Sequence, residues 1–171
     1  EAGELLKGKN KKNVDLVTSV AHVYLNAGKI TEAQEYLAMA KKANNKDPKV
    51  SVLEGDIALA QKNIGQACQL YEQAIYFDPN CKEAYLKYAQ AYKSASPTQA
   101  IEKLEQLKAV DPNCLEADRE LAEVYYSGNR FGKAAEMYAK FIDTPLATED
   151  DMLKYAFALF LNHDFEKSLQ V

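Results

Sequence analysis

The sequence predicts an all-α protein in which pairs of antiparallel helices repeat along the chain. Only seven of its 171 residues are Gly and five are Pro, so long uninterrupted helices are expected. Small residues recur in two series at a nearly constant step, the length of one helical repeat. The first series is Ala33, Ala67, Ala100, Ala134 and Ser168, and the second is Ala21, Gly55, Ala89, Ala122 and Ala156. Two independent series with one period predict a tandem repeat of helical units.

Apolar residues follow helical spacing inside each repeat. In the first half they fall at i, i+3, i+4 and i+7, as in Val17, Val20, Ala21 and Tyr24 and again in Tyr85, Tyr88, Ala89 and Tyr92. The second half carries its own stripe, as in Ala67, Tyr71, Ala74 and Phe77. Each repeat is therefore predicted to be two helices joined by a short turn. The small residues would lie where helices cross, at an axial distance of about 8 Å.

Three helix starts are marked by residues that can cap a helix. A cap side chain accepts a hydrogen bond from the N–H groups of the first turn, and Pro suits the first helical position. The predicted starts are Asp47 followed by Pro48, Ser96 followed by Pro97, and Thr148 with Asp151 as a capping box.

Residues at fixed offsets give the repeat a signature. The first helices carry Val20-Ala21-x-x-Tyr24, Tyr88-Ala89-x-x-Tyr92 and Leu121-Ala122-x-x-Tyr125. The second helices carry Ala33-x-x-x-Leu37, Ala67-x-x-x-Tyr71, Ala100-x-x-x-Leu104 and Ala134-x-x-x-Tyr138, and Pro79 and Pro112 close two repeats. This pattern resembles the tetratricopeptide repeat, a helix–turn–helix unit of about 34 residues with a Leu-Gly-x-x-Tyr, Ala-x-x-x-Phe and Pro pattern.

The resemblance implies a right-handed superhelical solenoid of about four full repeats, cut from a longer bacterial array. The predicted repeat bounds are 14–47, 48–81, 82–114 and 115–148, with a partial repeat at 149–171 and the end of a preceding helix at 1–13. The second repeat departs from the family pattern, because Glu54 and Ala58 stand where Leu and Tyr are expected. Its first helix is therefore expected to pack less bulk.

The tetrapeptide Asp-Pro-Asn-Cys occurs at 78–81 and at 111–114, which raises the question of cysteine chemistry. Cys81 and Cys114 are one repeat apart, roughly 8–10 Å in stacked helices, whereas a disulfide needs Cα atoms within about 7 Å. A position in the first turn of a helix lowers a thiol pKa, so mild reactivity remains an alternative. His22 and His163 are about four repeats apart and cannot share a site. The sequence predicts no enzyme, no metal site and no cofactor.

The net charge of −4 disfavours nucleic acid as a partner, because binding to phosphates needs a basic surface. No stretch approaches the roughly 20 apolar residues that cross a bilayer, so no membrane insertion of this segment is expected. Three Cys cannot be fully paired, which favours a reducing compartment. The resemblance to bacterial arrays points instead to the cell envelope or periplasm, so both compartments stay open.

The resemblance also implies a binding surface. Members of the family bind partners on a concave face formed by the first helices, with groove positions between the packing positions. Carried onto this chain, these positions are Thr18, His22, Leu25, Val52, Asp56, Leu59, Leu86, Gln90, Lys93, Arg119, Glu123, Tyr126, Leu153, Phe157 and Phe160. Phe157 and Phe160 make one end apolar, to be covered either by a partner or by a neighbouring repeat.

The implied function is a non-catalytic scaffold that holds a protein or peptide partner in this groove. The alternative is a sensory or regulatory domain of a larger signalling or envelope protein. Some members of the family clamp a peptide carboxylate with Lys and Asn four residues apart. The matching pairs here, such as Val52 with Asp56 and Arg119 with Glu123, do not have that combination.

Overall fold

A computed structural model describes residues 12–171, and this part of the chain contains ten α-helices and no strand. The helices are α1 Val14–Asn26, α2 Ile30–Asn44, α3 Pro48–Ala60, α4 Ile64–Phe77, α5 Lys82–Tyr92, α6 Pro97–Val110, α7 Leu115–Ser127, α8 Phe131–Tyr138, α9 Glu149–Leu161 and α10 Phe165–Ser168. The predicted all-α class is confirmed, and each predicted repeat interval holds two helices. Of the preceding helix predicted at 1–13, residues 1–11 lie outside the described part.

The described residues divide into two compact units, one that ends at Ala91 and one that spans Tyr92–Val171. In the first unit α1 packs on α2 and α3, and α3 packs on α4. In the second unit α6 packs on α7, α7 on α8, α8 on α9 and α9 on α10. The pairs α1–α2, α3–α4, α7–α8 and α9–α10 therefore pack as expected for repeated helix pairs.

Most of the small residues of both series are buried between helices. Ala21, Ala33 and Ala67 are completely buried in the first unit, and Ala100 and Ala134 are completely buried in the second. Larger apolar side chains fill the space around them. In the first unit this core includes Val17, Val20, Leu37, Val50, Leu53 and Ile57.

Two of the three predicted helix starts have the expected cap. The Asp47 side chain accepts from the Lys49 N–H at 3.0 Å. Thr148 and Asp151 form a capping box, in which each side chain bonds the backbone of the other residue. α6 begins at Pro97 directly after Ser96, as predicted, but the Ser96 side chain makes no cap hydrogen bond. Its φ is −149°, compared with −70° at Asp47 and −107° at Thr148.

The lower bulk expected for α3 does not leave this helix loosely packed. Eight of its thirteen residues are buried. Gly55 lets the ring of Tyr71 on α4 lie directly against the α3 backbone, because a Cβ at Gly55 would be only 2.5 Å from Tyr71 Cε1. Tyr71 is completely buried, so the bulk that α3 lacks is supplied by its neighbour.

Replacement of Gly55 by Ala is expected to destabilise the protein. Tyr71 is held on all sides, so its ring cannot move away from the new methyl group, and overpacking of this kind costs about 1–3 kcal/mol. Gly65→Ala is the matched control, because Gly65 is also helical and has nothing within 4 Å of a built Cβ. Thermal unfolding followed by circular dichroism should give a lower Tm for Gly55→Ala and an unchanged or raised Tm for Gly65→Ala. Equal melting temperatures would show that the ring does not lie against Gly55.

Candidate functional site

A buried carboxylate connects three repeats in the first unit. Asp56 on α3 is only 8% exposed. Its Oδ1 accepts from the Tyr71 hydroxyl at 2.7 Å, and its Oδ2 accepts from Lys87 Nζ on α5 at 2.7 Å. Nε2 of His22 on α1 lies 3.0 Å from the same Oδ2. A buried carboxylate without such partners would be strongly destabilising, so these contacts hold α1, α3, α4 and α5 to one point.

These contacts set the ionisation of the group. Burial by itself would raise the pKa of Asp56, but the hydrogen bonds from His22, Lys87 and Tyr71 outweigh it and lower the pKa below its ordinary value. Burial, together with the neighbouring Asp56 charge, raises the pKa of Tyr71. At neutral pH Asp56 is therefore an anion and Tyr71 is a neutral hydrogen-bond donor.

The same arrangement occurs again in the second unit. Glu123 Oε1 accepts from the Tyr138 hydroxyl at 3.0 Å and from Lys154 Nζ at 2.8 Å. The sequence separations are 15 for carboxylate and tyrosine and 31 for carboxylate and lysine, as they are around Asp56. Each member lies two repeats after its counterpart. We call this arrangement the carboxylate–tyrosine–lysine cluster.

The repeat between the two copies lacks this cluster. Gln90 stands one repeat after Asp56, and the buried Leu104 stands one repeat after Tyr71. In both copies the lysine belongs to the repeat after that of the carboxylate and the tyrosine. Asp56 and Glu123, two of the predicted groove residues, are thus already engaged by lysines of their own chain.

Four of the predicted groove residues line one hollow in the first unit. It has a volume of about 490 Å³, and we call it the α1–α3–α5 hollow. Its lining residues are His22, Leu25, Asn26, Asp56, Leu59, Ala60, Glu83 and Lys87. Among them His22, Leu25, Asp56 and Leu59 were predicted from the sequence. Asn26 and Ala60 lie one helical turn after His22 and Asp56, so helical spacing alone could have added them.

A smaller hollow of about 200 Å³ shares His22 and Glu83 with the first. Its lining also includes Thr18 and Val52, which are only 4% and 1% exposed. The Thr18 hydroxyl donates to the carbonyls of Val14 and Asp15 within α1. These two predicted residues therefore form the floor of a hollow and present little surface.

Two further predicted groove residues lie on α5. Leu86 is half-buried, and Gln90 is exposed.

Several predicted residues of the second unit contact their own chain. Arg119 Nη2 lies 2.9 Å from Asp151 Oδ2, and Asp151 is only 1% exposed. The Tyr126 ring packs edge-on against Phe131 with the ring centroids 5.8 Å apart. Lys93 is exposed and follows the end of α5.

The predicted apolar end of the groove is exposed on α9. Leu153, Phe157 and Phe160 are 58%, 50% and 53% exposed. Together with Ala156 and Ser168 they line a shallow hollow of about 230 Å³. The Phe160 ring also packs edge-on against Phe165 of α10, with the ring centroids 5.3 Å apart.

Comparison with known proteins identifies the repeat. A family model described as tetratricopeptide repeat matches residues 21–81 and 90–147, more than half of the chain. The chain belongs to the tetratricopeptide repeat family. Proteins of this family generally mediate protein–protein interactions. No curated protein matches the sequence.

Solved structures of other tetratricopeptide repeat proteins share the fold. PilF of Pseudomonas aeruginosa has 16% sequence identity and a TM-score of 0.81, over 95% of this chain and 75% of PilF. PilW, described as a widely conserved type IV pilus biogenesis factor, has 16% identity and a TM-score of 0.77, over 99% of this chain and 86% of PilW. YrrB, described as having an unusual peptide-binding site, has 13% identity and a TM-score of 0.67, over 99% of this chain and 87% of YrrB.

Among residues 12–171 no disulfide bond joins Cys68, Cys81 and Cys114, and Cys68 and Cys114 are buried. Burial raises the pKa of Cys81, which opposes the alternative of a reactive thiolate at the helix start. Within residues 12–171 no group of three His, Cys, Asp or Glu side chains is placed to hold a metal. No helix in the same range is long and apolar enough to cross a membrane.

Removal of the Asp56 charge is expected to change the acid sensitivity of the protein. The pKa of Asp56 is lower in the folded protein than in the unfolded chain, where it is about 3.9. Asp56 therefore stabilises the fold fully above about pH 3.9, and this stabilisation is lost as the pH falls through the pKa of the folded state. Asp56→Asn should therefore cost about 2 kcal/mol at pH 7, and the difference from wild type should shrink below about pH 4.

Urea unfolding at several pH values between neutral and about pH 3 measures this effect. Asp143→Asn is the control, because Asp143 is an exposed carboxylate. Its unfolding midpoints should follow those of wild type. A constant difference between Asp56→Asn and wild type at every pH would contradict the assignment.

Proposed function

We propose that this tetratricopeptide repeat chain is a non-catalytic scaffold that binds a segment of a partner protein in the α1–α3–α5 hollow. The observation that carries the proposal is the convergence of three first helices on one open hollow. Its lining combines apolar Leu25 and Leu59 with polar groups of His22 and Glu83. Binding sites for peptides commonly combine apolar contact area with a few polar groups that fix orientation.

The two leucines supply the apolar contact. Leu25 and Leu59 occupy the same position of adjacent repeats, and Leu59 is 36% exposed. A partner side chain placed against them would remove apolar surface from water, worth roughly 25 cal/mol per Å². Because the two leucines are separated by one repeat, a partner segment that crosses α1 and α3 could contact both of them.

The buried Asp56 at the base of the hollow favours binding, because its position is fixed before a partner binds. Asp56 is held by three donors from three other helices, so its position does not depend on a partner. Binding to a surface that is ordered beforehand loses less conformational entropy. The description of YrrB as a protein with a peptide-binding site supports the view that this fold can hold a peptide.

Leu59→Glu is expected to weaken partner binding strongly without unfolding the protein. Leu59 is partly exposed, so a charge there is tolerated by the fold but is desolvated under a partner side chain, and we expect a loss of affinity of about tenfold or more. Affinity capture of the protein from its source cells, with quantitative mass spectrometry, identifies the partners that depend on this residue.

Val23→Glu is the matched control. Val23 lies on α1, is 58% exposed and is not a lining residue of either hollow of the first unit. Partners should be captured by wild type and by Val23→Glu and lost with Leu59→Glu, while the circular dichroism spectra of all three proteins agree. An identical set of captured proteins for all three would refute binding in the α1–α3–α5 hollow.

A further inference from the structure

The charges around the hollows of the first unit are nearly, but not fully, paired. Among the described residues that line the two hollows, the acidic ones are Asp15, Asp56 and Glu83 and the basic ones are Lys49 and Lys87. Lys49 Nζ lies 2.5 Å from Asp15 Oδ1, and Lys87 Nζ lies 2.7 Å from Asp56 Oδ2. These close pairs leave the carboxylate of Glu83 in excess.

Glu83 is placed to contact something outside the chain. It lies in the first turn of α5, and its side chain is 53% exposed. It forms a loose ion pair with Lys87, whose Nζ is 3.9 Å from Oε1, beyond the length of a hydrogen bond. The same Nζ is committed to Asp56 at 2.7 Å. Glu83 also lines both hollows, so a partner in either one meets this carboxylate.

Asp56 and His22, which lie deeper in the hollows, do not change the sign of the net charge that a partner meets. The Asp56 side chain is 9% exposed, and its charge is balanced by Lys87. His22 lies at the junction of the two hollows with its Nε2 against Asp56. A partner therefore meets an apolar wall at Leu25 and Leu59 with a net negative charge beside it.

We propose that the α1–α3–α5 hollow binds a partner segment in which a Lys or Arg stands close to an apolar residue, and that Glu83 pairs with that basic side chain. This inference rests on the function proposed above. The apolar residue would contact Leu25 and Leu59, and the long basic side chain would reach Glu83 while its stem covers apolar surface. An acidic segment would instead bring a second negative charge next to Glu83, which opposes binding.

Selection from a phage-displayed library of random linear peptides tests the inference on the whole chain. Wild type should enrich peptides with Lys or Arg within a few positions of Leu, Ile, Met or Phe. Glu83→Lys should enrich Asp or Glu at the same positions. Glu32→Lys is the matched control, because Glu32 is also an acid in the first turn of a helix and is half-buried, but it lines neither hollow. It should select the same peptides as wild type.

Synthetic copies of the enriched peptides give the size of the effect. Glu83→Gln should weaken their binding about two- to fivefold, as expected for an exposed ion pair, and added salt should weaken wild-type binding. Glu83→Gln removes only an exposed charge, so its fold can be checked independently by its Tm.

The outcomes separate this inference from the proposed function. Enrichment of acidic or uncharged peptides that is abolished by Leu59→Glu would overturn the basic partner and keep the hollow as the binding site. Enrichment that survives Leu59→Glu, or no enrichment by wild type, would overturn both. An unchanged charge preference in Glu83→Lys would remove Glu83 as the recognising residue.

Discussion

A carboxylate buried between helix pairs, and neutralised by a lysine from the next repeat, is the interaction on which the first unit depends. Asp56 can be buried only because Tyr71, Lys87 and His22 all direct polar groups at it. Removing any one partner would leave this mostly buried carboxylate with one hydrogen bond fewer. The same contacts join α1, α3 and α5 and shape the floor of the hollow between them, so stability and binding surface have one origin.

Sequence alone predicted the repeat, because helix crossings restrict single positions. Ala33, Ala67 and Ala134 are small for a reason that recurs at every crossing, and a recurring restriction is visible as a period. Asp47 and Thr148 were predictable as caps because capping is local. Ser96 shows the limit of that argument, since its residue type is suitable but its backbone angles differ from those of the caps that form hydrogen bonds.

Contacts between helices were less predictable. α3 was expected to pack less bulk, but nothing in the sequence indicated that Gly55 leaves room for the Tyr71 ring or that most of the helix is buried. The groove positions came from the family pattern, which indicates the direction of a side chain but not whether that side chain is already bonded within its own chain. Asp56 faces the hollow as expected, yet its charge is already paired. Glu83 was missed because its importance comes from the pairing of its neighbours.

The carboxylate–tyrosine–lysine cluster returns after two repeats and skips the repeat between. Gln90 and Leu104 occupy the intermediate positions, so neighbouring repeats are alike in shape and unlike in buried charge. Removal of residues 82–114 alone would place Glu120 where Lys87 stands, so a second carboxylate would face Asp56. Removal of residues 82–148 would place Lys154 there instead and would keep the lysine that pairs with Asp56. For this cluster, the smallest block of the array that can be exchanged is therefore a pair of repeats.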